Sequence, residues 1–180
     1  PIKPGKLNSY QLAKRKLKNA FVNNGFNEVL TYSLVSDEDK TRIKISNPLL
    51  QETSCLRNNI WQEHVRICNQ NIKAGRESCW IFETGNIFVN SSTNNQIEIL
   101  SGAISGNNYD EKWEFSGKSS ELNYYQARGK LRQVFSHLNV SVIDKPTDKY
   151  KYLHPGRTSL LIIEGKEAGY FGQINPKYIV

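Results

Sequence analysis

Apolar residues recur at helical spacing in only three stretches of this chain, 7–24, 56–73 and about 126–138, and the segments between them read as strands and turns. The resulting order is helix, strand, helix, hairpin, helix and then strands, with no regular strand–helix–strand alternation. A parallel, doubly wound sheet needs that alternation. The order therefore predicts an α+β fold with an antiparallel or mixed sheet flanked by helices. No internal repeat or low-complexity linker interrupts the 180 residues, which are read as one domain, 1–180.

In the first helix Tyr10, Ala13, Leu17, Ala20 and Phe21 share one face, and Gly25 is a natural stop. Leu12 and Val22 lie off that stripe and read either as incidental surface residues or as a second apolar face for a partner helix. Residues 26–35 are rich in β-branched and aromatic side chains and predict a strand. Ser36 with Asp37 and Glu38 predicts a short helical turn, and 43–46 a short strand ended by Asn47-Pro48. The second helix, 56–73, is apolar around a wide arc and is expected to be buried on more than one side. Strands at 79–88 and 97–104 flank a polar turn at 90–96 and predict an antiparallel hairpin. Residues 106–119 read as a loop anchored by Trp113 and Phe115. After the third helix come a strand at 140–143 and a last hairpin, 159–163 with 168–171, turning at Glu164-Gly165-Lys166.

Composition excludes several classes. No apolar run approaches the ~20 residues that span a bilayer, and the N-terminus lacks a secretory apolar core. The net charge of +7 comes from scattered basic residues, which permits contact with nucleic acid without specifying it. Cys55, Cys68 and Cys79 are widely spaced, and no Cys-x-x-Cys occurs, so three reduced thiols are expected and no metal. Abundant Asn, Ile, Lys and Tyr point to an AT-rich genome, and hence to a bacterial cytoplasm or a plastid stroma. The absence of Met reads as a segment excised from a longer protein.

Several motifs occur in a fixed order. Gly25-Phe26-Asn27-Glu28-Val29 follows the first helix, and Asn47-Pro48-Leu49 leads to Leu56-Arg57, read as the opening of the second. Phe82-Glu83-Thr84-Gly85-Asn86-Ile87-Phe88 then forms a strand. Tyr124-Tyr125 precedes Arg128-Gly129-Lys130. Leu153-His154-Pro155-Gly156-Arg157 and the run from Gly169 to Pro176 close the series. This succession resembles the core of class II aminoacyl-tRNA synthetases, and more closely the β subunit of phenylalanyl-tRNA synthetase, from about residue 7 to residue 178.

The resemblance implies a degenerate copy of the catalytic core that does no chemistry itself. Class II enzymes neutralise the bent triphosphate with an arginine in a Phe-Arg-x-Glu pattern, because a guanidinium is always charged and forms paired hydrogen bonds to phosphate. The matching stretch here is Phe88-Val89-Asn90-Ser91, with Val89 at the arginine position and Ser91 at the glutamate position. Losing one such donor typically costs about 10²–10³ in rate. The glycine-rich helix of the third class II motif has no counterpart. No catalytic residue is therefore expected in this chain, and no cofactor or metal. The resemblance assigns ATP and Mg²⁺ to a holoenzyme that joins phenylalanine to its tRNA. Its implied partners are an α subunit, in an (αβ)₂ assembly, and tRNA(Phe).

The same resemblance places the first helix at the α-subunit interface. Tyr10, Leu12, Leu17, Val22 and Tyr32 are the candidate contacts, Tyr32 standing where class II enzymes carry an interface proline. Without its partner, the fragment is expected to be able to form homodimers through the same surface. His154-Pro155-Gly156-Arg157 reads either as an anion or RNA contact through Arg157 or as a structural turn with Arg157 paired to an acid. Arg57 and Glu83 read either as relics of substrate-binding groups or as core residues, with Glu83 paired to a base. The alternative function is a stand-alone synthetase-like RNA-binding module, with Trp113, Tyr124 and Tyr125 stacking on bases.

Overall fold

Helix α1 (Ser9–Asn23) starts where Asn8 and Gln11 exchange side-chain and backbone hydrogen bonds, Asn8 Oδ1 accepting from the Gln11 N–H at 2.8 Å and Gln11 Oε1 accepting from the Asn8 N–H at 2.9 Å. It ends at Gly25, whose φ of +88° is open to glycine without strain. The computed structural model describes residues 5–89, 95–108 and 120–178. These fall into two compact units, one made of Pro1–Asn24 with Glu121–Val180 and the other of Gly25–Ser120.

In the Gly25–Ser120 unit, the long strands β5 (Ser78–Phe88) and β6 (Gln96–Gly106) pair antiparallel from Ser78↔Gly106 to Phe88↔Gln96, as the sequence predicts. The short strand β1 (Asn27–Glu28) joins β5 in parallel, which makes the sheet mixed. Helix α2 (Trp61–Lys73) packs on this sheet. Cys68 of α2 forms a buried cluster with Cys79 and Ile81 of β5, against Val29, Ile67 and Ala103. Successive strand side chains alternate in direction. Trp80 and Phe82 therefore take the opposite face, where the Trp80 ring meets Phe26 at 5.8 Å. A second small sheet, in the order β2 (Leu34–Val35), β4 (Cys55–Leu56), β3 (Ile43–Lys44), is antiparallel throughout.

In the other unit, α1 contacts α3 (Tyr124–His137), which opens with a second Asn–Gln box made by Asn123 and Gln126. Strands β7 (Ile143–Pro146), β8 (Leu153–Ile163) and β9 (Lys166–Ile174) form an antiparallel sheet in sequence order. Val134, Leu153 and Leu161 are its buried apolar residues, together with Ala20 and Phe21 of α1.

Several local expectations are corrected. Residues 26–35 are not a continuous strand. The Val29 N–H bonds to the Phe82 carbonyl, the Thr31 N–H to the Glu83 side chain, and the Ser33 carbonyl accepts from the Arg57 N–H, so no single neighbouring strand takes the whole segment. No helical turn forms at 36–38, because Ser36 Oγ donates to Glu38 while Asp37 binds Lys44. Leu56-Arg57 does not open the second helix. Leu56 is held in β4, and α2 begins at Trp61, where Asn59 Oδ1 accepts from the Gln62 N–H at 3.3 Å. Val140 closes the end of α3 through the Phe135 carbonyl, which delays the next strand to Ile143. His154–Arg157 is not a turn but an irregular stretch inside β8, where the register to β9 shifts between Leu153 and Thr158. Trp113, Phe115 and most of the predicted turn at 90–96 lie outside the described residues.

Candidate functional site

Of the five candidate interface residues, Tyr10, Leu12 and Val22 are exposed along α1, and Leu17 is half-buried there. Only Ala20 and Phe21 of the predicted stripe are buried in α1, so the helix commits its C-terminal end to the core. Tyr32 lies between β1 and β2 and is 87% exposed. Its segment explains this exposure. Thr31 is tied inward, its N–H and Oγ1 reaching Glu83 Oε2 at 3.2 and 2.6 Å. In extended chain the neighbours then point the other way. Leu30, at 90% exposure, and Tyr32 are those neighbours, and Leu34 of β2 is exposed beyond them. Leu49, at 93%, and Leu50 add to the surface just before the short 3₁₀ turn Gln51–Thr53, which packs by β2. Sequence reasoning missed Leu30, Leu34, Leu49 and Leu50. Their only signal was two leucines after Asn47-Pro48 with no helical or strand period to bury them.

Beneath that surface is a fully enclosed charged group. Arg57 Nη2 donates to Glu83 Oε1 at 3.0 Å, and both side chains are buried. The remaining donors of Arg57 are also taken, Nε by the Asn86 carbonyl at 2.8 Å and Nη1 by Thr31 Oγ1 at 2.7 Å. His64 of α2 approaches Glu83 Oε2 with Nε2 at 3.5 Å, longer than a good hydrogen bond, while Ser101 Oγ lies 3.3 Å from its Nδ1. Burial is the main cause holding the His64 imidazole below its ordinary pKa of 6.5, and the nearby Arg57 charge acts the same way against the pull of Glu83. Gly85 makes the arrangement possible. A β-carbon there would fall 2.5 Å from Arg57 Nη2 and 2.7 Å from Glu83 Oε1. Arg57 and Glu83 thus bind each other, the core pairing being the reading the geometry supports.

Val89 is half-buried at the end of β5, its N–H bonded to the Asn95 carbonyl at 2.9 Å, and Ser91 lies outside the described residues. Arg157 is exposed, and its Nη1 donates to Gln173 Oε1 at 2.7 Å, an amide oxygen and not an acid. Within the same irregular stretch the Gly156 N–H donates to His154 Nδ1 at 3.2 Å, which takes that amide away from any anion. Tyr124 is a packing residue, its ring 5.5 Å from Phe171, whereas Tyr125 is exposed. The three cysteines are free and buried, and burial pushes the Cys68 thiol well above its usual range. Among the described residues no group of three or more His, Cys, Asp or Glu is placed to hold a metal ion. Among them, too, no helix is long and apolar enough to cross a membrane.

The family model for the phenylalanyl tRNA synthetase beta chain CLM domain matches residues 1–180. The chain is 63% identical over 180 residues to the phenylalanine–tRNA ligase beta subunit of Prochlorococcus marinus strain MIT 9312, covering 100% of this chain and 22% of that protein. It is 60% identical over 179 residues to the beta subunit of strain MED4, covering 99% and 22%. For the Synechococcus sp. CC9902 beta subunit the identity is 45% over 178 residues, covering 98% and 22%. This chain thus spans about a fifth of the length of these relatives. Among solved structures, a pyrrolysyl tRNA synthetase of Desulfitobacterium hafniense superposes with a TM-score of 0.58 at 16% identity, over 88% of this chain and 56% of that one. A second structure of that enzyme gives 0.59 at 14%, over 88% and 57%. At such identity the likeness shows the fold alone, and it is the α+β, class II-like fold that the sequence implies.

Proposed function

This chain belongs to the phenylalanyl-tRNA synthetase β-chain CLM domain family, and from that premise we propose that it is a non-catalytic core module through which a β subunit docks onto its α subunit. The observation that carries the proposal is the outward row Leu30, Tyr32 and Leu34 with Leu49 and Leu50. Large apolar side chains clustered at such exposure mark an interaction surface. The network beneath fixes the row, because Thr31 must face Glu83 for its neighbours to face out. The exposed side chains of α1, Tyr10, Leu12 and Val22, form a second, smaller candidate contact, with Leu17 at its inner edge.

The holoenzyme reading assigns the α subunit an (αβ)₂ assembly with this chain's parent subunit, and assigns the whole the ATP- and Mg²⁺-dependent joining of phenylalanine to tRNA(Phe) in a bacterial cytoplasm. Two features support a supporting rather than a chemical role for this module. The position of the motif arginine holds Val89, which cannot stabilise charge on phosphate, and the buried guanidinium of Arg57 has its donors engaged. The residues present therefore do not fit ATP·Mg²⁺, and no step of the reaction is routed through them. What the module contributes is shape and apolar surface.

Co-expression of the full β subunit with α, read by size-exclusion chromatography with light scattering, tests the proposal. Tyr32→Asp and Leu49→Asp are each expected to weaken assembly about ten-fold or more, since a charge placed in a dry interface core removes apolar contact and adds a desolvation cost. Leu12→Asp with Val22→Asp reports on the α1 contact in the same way. Unchanged assembly in all of these variants overturns the docking role. Activation of any amino acid by this chain alone would overturn the non-catalytic one.

A further inference from the structure

The charge of this chain is spread unevenly. Residues 1–27 hold Lys3, Lys6, Lys14, Arg15, Lys16 and Lys18 and no acid, which makes up +6 of the net +7. The compact unit that contains α1 and α3 carries 15 basic residues against 5 acidic ones, and the Gly25–Ser120 unit 9 against 12. Neither α1 nor α3 contains an Asp or a Glu. In α1 this arrangement works against the helix itself. Lys14 and Lys18 are like charges at i and i+4, a spacing that destabilises a helix. No basic residue stands in the last turn, where it would favour the helix dipole. At about 100° per residue Leu12, Arg15, Lys16, Asn19, Val22 and Asn23 fall on one side of α1, and all six are exposed. The buried Ala20 and Phe21 lie outside that arc. Among the described residues Arg15 and Lys16 form no ion pair.

We propose that this face of α1 docks on an acidic surface of the α subunit, and that its charge governs how fast the two subunits meet. The proposal rests on the docking reading above and adds the chemistry of the partner. Cations that are unpaired within the chain, on a helix they do not stabilise, are met by acids from outside. Long-range attraction between two such faces raises the rate of encounter and has less effect on the rate of separation. The row of Leu30, Tyr32 and Leu49 acts the other way, since apolar contact forms only at close range and holds the complex once it is made. A protein fits this face better than an RNA does. Leu12 and Val22, 46% and 53% exposed, bracket the two cations along the helix and call for an apolar counterpart, which a phosphate backbone lacks. The face also carries no aromatic ring on which a base could stack.

The test mixes the full β subunit with α in stopped flow and records the rates of association and dissociation. Between about 0.05 and 0.5 M NaCl the association rate is expected to fall about ten-fold, while the dissociation rate stays within about two-fold. Arg15→Glu with Lys16→Glu, at exposed positions, is expected to slow association about ten-fold at low salt and to remove most of its salt dependence. Arg15→Lys with Lys16→Arg keeps the charge and should leave both rates unchanged. Tyr32→Asp is the control for the docking reading and should speed dissociation without altering the salt dependence. An association rate indifferent to salt, or to the two Glu substitutions, overturns the acidic partner, and docking itself stands as long as Tyr32→Asp still speeds dissociation. Glu substitutions that leave assembly untouched but weaken binding of tRNA to the holoenzyme give the face to RNA, and overturn the proposal as well.

Discussion

Arg57 and Glu83 show what one residue pair asks of its surroundings. A buried guanidinium is tolerated only when carboxylate and carbonyl oxygens meet its donors, and here Glu83, Asn86 and Thr31 do so. Removing one partner strands the other. Arg57→Met is expected to destabilise the chain by about 3–5 kcal/mol, read from the urea midpoint, because the Glu83 carboxylate is then buried without compensation. Adding Glu83→Gln should recover part of that loss. A double variant whose cost equals the sum of the single costs would show that the pair is not coupled. His64 adds a pH dependence. Its imidazole is held below 6.5 in the fold, so on acidification the unfolded chain takes up a proton before the folded one does. The contribution is fully present above about pH 6.5 and is lost as pH falls towards the lowered folded value. The urea midpoint should therefore drop between pH 7.5 and 5.5, and His64→Asn should flatten that slope. An equal slope in the variant would assign the pH dependence to other groups.

At the scale of elements, the helices and long strands were legible because their signals are local. Asn8 with Gln11 and Asn123 with Gln126 set the two boxed helix starts, and Gly25 sets a stop. The hairpin of β5 and β6 follows from two β-rich runs around a polar turn. The short elements were not legible, since their partners are distant in sequence. Residues 26–35 have the composition of a strand, but Phe82, Glu83 and Arg57 claim their backbone groups one by one. The apolar period that begins at Leu56 predicts a helix opening at Leu56-Arg57. Pairing of Cys55–Leu56 with β2 and β3 instead kept that segment extended. The same competition made His154–Arg157 a strand irregularity where Pro155 and Gly156 had predicted a turn.

For the molecule as a whole, the chain leaves one compact unit after Asn24 and returns to it at Glu121. A single family model nevertheless runs across residues 1–180, which supports the proposal that they fold as one cooperative domain. Calorimetry should then give one transition with equal calorimetric and van't Hoff enthalpies, whereas two resolved transitions would make the units separate domains.

The sequence by itself determined the family and the class of fold, because motif order and helical or strand period are written in neighbouring residues. Only the tertiary structure decided that Arg57 and Glu83 bind each other and that Leu30 and Leu49 are left facing outward. The reason is physical. Burial and the matching of donors to acceptors depend on which distant segments meet, and a residue's own neighbours in the chain carry no record of that meeting.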